Sequence, residues 1–266
     1  MPLPRSRARQ VRPPRRRWCG ALTAAVLGLV SPLAPAQETS WRDIESRIQY
    51  GYYTENALAL RNLSEAVAAG AEHDKLRGYY AGLLAWRLAL IAEHNAAAAP
   101  GISAAQMAQR CVSELDTALA LAADFADALA LRSACLATPS GGGGFFAPVS
   151  GYRSHRDLDK ARELDARNPR VLLVDAMSDY ELSPSHGGSK ERALGKLRQA
   201  VAAFEAERRG AEHLPGWGAA EAWLLLAQDL LDHGDAMGAR DALEHALLIA
   251  PEYAQARRLM KKIASG

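Results

Sequence analysis

From Trp41 onward, Ala and Leu return at three- and four-residue intervals, and no stretch alternates in the two-residue rhythm of a strand. A chain patterned this way can bury its apolar surface only by packing helix on helix. Composition agrees: hydrophobic residues make up 49% but aromatics only 6%, so most of the apolar content is Ala and Leu, residues that a helix holds at small entropic cost. Charged residues at 23% sit near the globular norm, which argues against general disorder. The fold class expected is all-α.

The clearest segment lies near the C-terminus. Trp223, Leu226, Ala227 and Leu230 precede a turn at His233-Gly234-Asp235, and Ala239, Leu243, Ala246 and Pro251 follow it. Antiparallel helices approach closely where one offers a small side chain to the other's large one, so Ala227 and Ala239 fit a seam filled by Trp223, Leu230 and Leu243. Gly234 permits the turn and Pro251 stops the second helix. This spacing resembles the tetratricopeptide repeat, with Leu230 and Leu243 where that family favours aromatics and Ala227 where it favours Gly. Looser copies run through Leu115–Leu121, Leu158–Leu164, Leu172 with Ala176, and Ala193 with Leu197 and Ala200. The resemblance implies a right-handed α-solenoid of about four to five stacked hairpins. The clearest hairpin spans 220–253, and a polar capping helix follows at 254–264. Ser103 with Gln106, and Ser154 with Asp157, have the spacing of helix-starting capping boxes.

Within the hairpins, three joints are longer than the His233–Asp235 turn: His94–Ile102, Pro139–Arg153 and Ser183–Ser189. Stacking would line these loops along one edge, where insertions often bind. Phe145, Phe146, Tyr152 and His186 are the candidate residues of that edge. The Phe pair follows four consecutive Gly. It reads either as a mobile aromatic offering or as a plug tucked into the stack, and the preference of large apolar side chains for burial favours the plug.

The first 36 residues read as an export signal: seven Arg without an acid, an apolar run from Ala21 to Val30, and the small-residue segment Ala34-Pro35-Ala36 before Gln37. The domain expected to remain is 37–266, without a stable membrane anchor, in the periplasm or outside the cell. Its loss of seven Arg leaves 25 basic against 30 acidic residues, so a nucleic-acid partner is not expected. Cys111 and Cys135 would then meet an oxidising compartment. An antiparallel pair of helices over 104–121 and 126–137 brings them near each other. A disulfide is within reach, and two small buried thiols are the alternative.

No metal, cofactor or catalytic set is expected. The seven His form no HExxH or His/Cys metal spacing, and no nucleophile motif occurs. Matching the repeat phase, the residues facing a concave groove are Arg170, Met177, Tyr180 and Glu181, with Glu221, Leu224, Gln228 and Asp232 from the last hairpin. Family members that clamp a peptide carboxylate use paired Lys and Asn there. Leu224 and Gln228 hold the matching positions here, so that role is not implied. The leading expectation is a non-catalytic scaffold of the cell envelope that binds another protein or a peptide. The alternative is a helical accessory protein, for example transporter-associated, with an enclosed apolar pocket for a small ligand beneath the inserted loops. An enzyme ranks third.

Overall fold

Helix starts follow the capping side chains. Ser40 accepts the Asp43 amide, Asp74 the Leu76 amide, Ser103 the Gln106 amide and Asp235 the Gly238 amide. Asn168 caps two amides just before Pro169, which occupies the first helical position, where its missing N–H has no partner to lose. The computed structural model describes residues 40–265 apart from 69–72, 139–146 and 209–213, and leaves out the side chains of 65, 147–150, 186 and 208. The export signal expected over 1–36, and Phe145 and Phe146, lie outside the described residues.

Every regular element among the described residues is a helix, and none is a strand. The helices are α1 (Trp41–Tyr53), α2 (Ala57–Ala68), α3 (Lys75–His94), α4 (Ala104–Leu121), α5 (Ala126–Ala137) and α6 (Ala147–Leu164). They continue as α7 (Pro169–Glu181), α8 (Lys190–Arg208), α9 (Ala219–Asp232), α10 (Ala236–Ile249) and α11 (Ala254–Ala264). Packing is densest within consecutive pairs: α3 with α4, α5 with α6, α7 with α8, and α9 with α10. Each odd-numbered helix from α1 to α7 also packs on the next odd-numbered one, forming an inner row. Burial follows from this: ten of the residues in α5 are buried, whereas α10 buries a single stripe of Ala239, Ala242, Leu243 and Ala246.

Small residues set how closely partners approach. A Cβ on Gly78 would stand 2.8 Å from the Glu114 carbonyl oxygen, and one on Gly82 would stand 2.7 Å from the Leu115 side chain. These two glycines, one turn apart on α3, let α4 lie against its backbone. In the last hairpin Ala227, Ala239 and Ala246 are fully buried, while Trp223 is half-buried and stacks on His245 at 4.3 Å. Gly234 takes the left-handed conformation of the tight turn, with φ +81°.

One helix boundary departs from the sequence expectation. The joint expected over 139–153 ends by Ala147, where α6 begins, so Tyr152 stands on a helix and is 69% exposed rather than belonging to a loop. Ser154 is not a cap: it lies inside α6, buried, with its hydroxyl 3.0 Å from both the Ser133 hydroxyl and the Ser133 carbonyl oxygen. Pro148 and Gly151 carry loop signals, but proline is tolerated in a first helical turn, and packing on α5 overrides the weak propensity of the rest.

The inner row curves until its two ends meet. Tyr53 of α1 donates to Glu221 of α9 at 2.8 Å, and its ring packs 4.6 Å from that of Tyr253. The Glu45 carboxylate accepts the Gly216 amide at 2.9 Å, and fully buried Trp217 donates to the Tyr79 hydroxyl at 2.7 Å. The segment leading into α9 is thereby seated on α1 and α3.

Candidate functional site

The C-terminal ends of α3, α5 and α7 gather at one edge, beside the joints 94–102 and 183–189. There the chain leaves a cavity of about 580 Å³. Its apolar wall is Trp86 and Leu90 of α3, Ala134 and Ala137 of α5, and Val174, Met177 and Leu182 of α7 and its end. Its polar groups are Glu93, His94, Ser133, Thr138, Ser154, Ser178 and Glu181.

Several of these groups are already held. The Ser133–Ser154 contact closes the α6 side, and the Thr138 hydroxyl donates to the Ala134 carbonyl at 3.1 Å. His94 Nδ1 lies 2.7 Å from the Leu90 carbonyl oxygen, which makes Nδ1 the donor. Burial at the cavity pushes the Glu181 carboxyl above its ordinary value. His94 pulls it down, and the neighbouring Glu93 charge adds to the rise. Cys111 and Cys135 are joined by a disulfide, Cα–Cα 6.2 Å, which ties α4 to α5 at the residue following Ala134.

The residues expected on a concave groove separate into three groups. Met177 and Glu181 line the cavity. Tyr180 donates to Asp232 at 2.8 Å, Asp232 also accepts from Lys190 at 2.5 Å, and Gln228 is half-buried on the same helix. Arg170, Glu221 and Leu224 do not face an open groove, because they are committed to the interior. Arg170 is 3% exposed and joins Asp127 at 2.5 Å and Glu207 through two hydrogen bonds. Glu221 pairs with Arg87 and Tyr53, and Leu224 is core. The reason is curvature: a row whose ends meet turns its inward side chains onto one another. On the loop edge, His186 falls in a short 3-10 turn, Pro184–His186.

Sequence reading missed Trp86, Leu90, Glu93, Ser133 and Ser178. Their only signal in the sequence was position in the last turns before the long joints. Among the described residues no group of three or more His, Cys, Asp or Glu is placed to hold a metal ion, and no helix is long and apolar enough to cross a membrane.

No protein-family model and no curated protein matches the chain. Among solved structures it is similar to the HusA haemophore from Porphyromonas gingivalis, with a TM-score of 0.56 and 22% identity, over 74% of this chain and 96% of that one. The likeness shows a shared helical fold.

Proposed function

We propose that this is an exported, non-catalytic binding protein that takes a small, largely apolar molecule into the cavity at the ends of α3, α5 and α7. The observation that carries the reading is the cavity itself. Its volume of about 580 Å³ lies within the roughly 300–1,000 Å³ of ligand sites, and a mostly apolar wall with a few convergent polar groups is the usual makeup of such sites. A peptide-binding groove has less support, since Arg170, Glu221 and Leu224 are held inside the fold. Export rests on the Arg-rich leader and agrees with the disulfide. We further propose that the paired helices are a right-handed, tetratricopeptide-like stack. The pairwise packing and the Ala227–Ala239–Ala246 seam support that reading.

The name of the similar haemophore raises haem as a ligand. His94 and Met177 are residue types that ligate haem iron. Haem, however, carries two carboxylates, and the described lining offers no Lys or Arg to meet them and presents two Glu. The residues do not fit that group, and the ligand proposed is a different apolar molecule.

The test is a titration with a neutral, environment-sensitive dye such as Nile red, in the protein and in Met177→Trp. The expected result is saturable one-to-one binding that the larger side chain reduces at least about tenfold, with helicity and unfolding midpoint little changed. Absence of saturable binding, or binding indifferent to Met177→Trp, overturns the reading.

A further inference from the structure

We infer that the cavity selects an apolar molecule whose polar end donates a hydrogen bond, an alcohol rather than an ether, because the hydroxyls of its α5–α6 wall can only accept. The inference deepens the small-ligand reading and rests on it.

Each hydroxyl on that wall has one proton, and each proton is committed within the protein. A carbonyl oxygen can only accept, so in the 3.0 Å contact with the Ser133 carbonyl the Ser154 hydroxyl is the donor. With that proton in use, the 3.0 Å contact between the two hydroxyls has Ser133 as donor and Ser154 as acceptor. The Thr138 hydroxyl gives its proton to the Ala134 carbonyl at 3.1 Å. What the three oxygens have left is lone pairs. Among the described residues no donor reaches the Ser133 or the Thr138 hydroxyl oxygen. All three residues line the cavity and are buried, whereas His94 and Ala137 of the same lining are exposed. The acceptors therefore belong to the enclosed part of the cavity, where a hydrogen bond brought by a ligand counts most. Turning the Ser133 proton toward a ligand would break its bond to Ser154, so the wall cannot change to donating without loss. Trp86 of α3 and Ser178 of α7 bring donors to the lining, an indole N–H and a hydroxyl. These can serve an alcohol oxygen and an ether oxygen alike. The two ligands differ in what they give the α5–α6 wall: the alcohol a proton, the ether nothing.

Pyrenemethanol, 1-methoxypyrene and 1-ethylpyrene share one ring system and carry substituents of equal size: one that donates, one that only accepts, and one that does neither. Titrated by fluorescence at pH 7, pyrenemethanol should bind about fivefold or more tightly than 1-methoxypyrene. The variant Ser133→Ala/Ser154→Ala/Thr138→Val removes donors and acceptors together and leaves no hydroxyl of the wall unpaired. In it the preference should shrink to about twofold or less, while 1-ethylpyrene binds as before. Pyrenemethanol binding no tighter than 1-methoxypyrene in the parent protein overturns the inference, whether or not the variant folds. A preference that survives in a folded variant overturns it as well, since the Glu93 and Glu181 carboxylates of the same lining would then be the acceptors. In both cases saturable binding of 1-ethylpyrene leaves the small-ligand reading standing. If none of the three probes binds saturably, the small-ligand reading fails and takes this inference with it.

Discussion

Arg87 shows how much the fold asks of single side chains. It is fully buried, with its guanidinium carbon 4.1 Å from the Tyr52 ring centroid, 4.8 Å from that of Trp86 and 4.9 Å from that of Trp217. Its counter-ion is Glu221, and Gln49 accepts a further hydrogen bond at 3.1 Å. Its Nε and Nη1 have no acceptor, so the aromatic rings supply what hydrogen bonds do not. Removing one partner strands the other charge in a dry site, and Arg87→Met should lower unfolding free energy by about 3–5 kcal/mol. Arg87→Met/Glu221→Leu should recover most of that, because neither charge is then left unpaired. Urea denaturation of both variants checks this, and an Arg87→Met protein as stable as the parent would refute it. Sequence periodicity placed Glu221 on an inward face but could not supply its partner, which lies 134 residues away. Local pattern records which face is buried and says nothing of what arrives there from a distant helix.

Among the elements, α4 and α5 were legible to the residue because Ser103 starts one and the Ala122–Phe125 turn divides them. The start of α6 was not, since Pro, Ser and Gly signal a loop until α5 gives Ser154 a buried partner. The terminal helix α11 was expected as an end cap. Its sequence shows the polar face but not that this face clasps the other end of the chain. Arg258 reaches Glu55, just beyond α1, through a two-pronged ion pair, and Asn95 adds a hydrogen bond to the same carboxylate at 2.6 Å. The Arg258 hydrogen bonds hold the Glu55 carboxyl below its ordinary value. A depressed carboxyl stabilises the fold above its unfolded value, near 4.5, and that contribution is lost as pH falls through the lower folded value. Amide exchange in α11 should therefore rise on acidification below about pH 4.5, and Glu55→Gln should show the raised exchange already at neutral pH. Because Arg258 is half exposed, the effect should stay near 1 kcal/mol or less. Exchange in α11 that ignores both pH and the substitution would count against the clasp.

At the scale of the whole molecule, two features could not be read from local pattern. One is that the inner row closes, with Tyr52 and Tyr53 against Tyr253, so that Arg170, Glu221 and Leu224, expected to face a partner, are held inside the fold instead. The other is that a cavity of about 580 Å³ lies where α3, α5 and α7 end. The wall residues stayed hidden because each looks like ordinary core on its own helix. The account stands or falls on where an apolar ligand sits, and hydrogen–deuterium exchange with and without saturating pyrenemethanol reads that position directly. Slowed exchange confined to the last turns of α3, α5 and α7, within 86–94, 133–138 and 174–182, is the predicted footprint. Slowing centred instead on α1, α9 or α10, with these three helix ends unchanged, would contradict it.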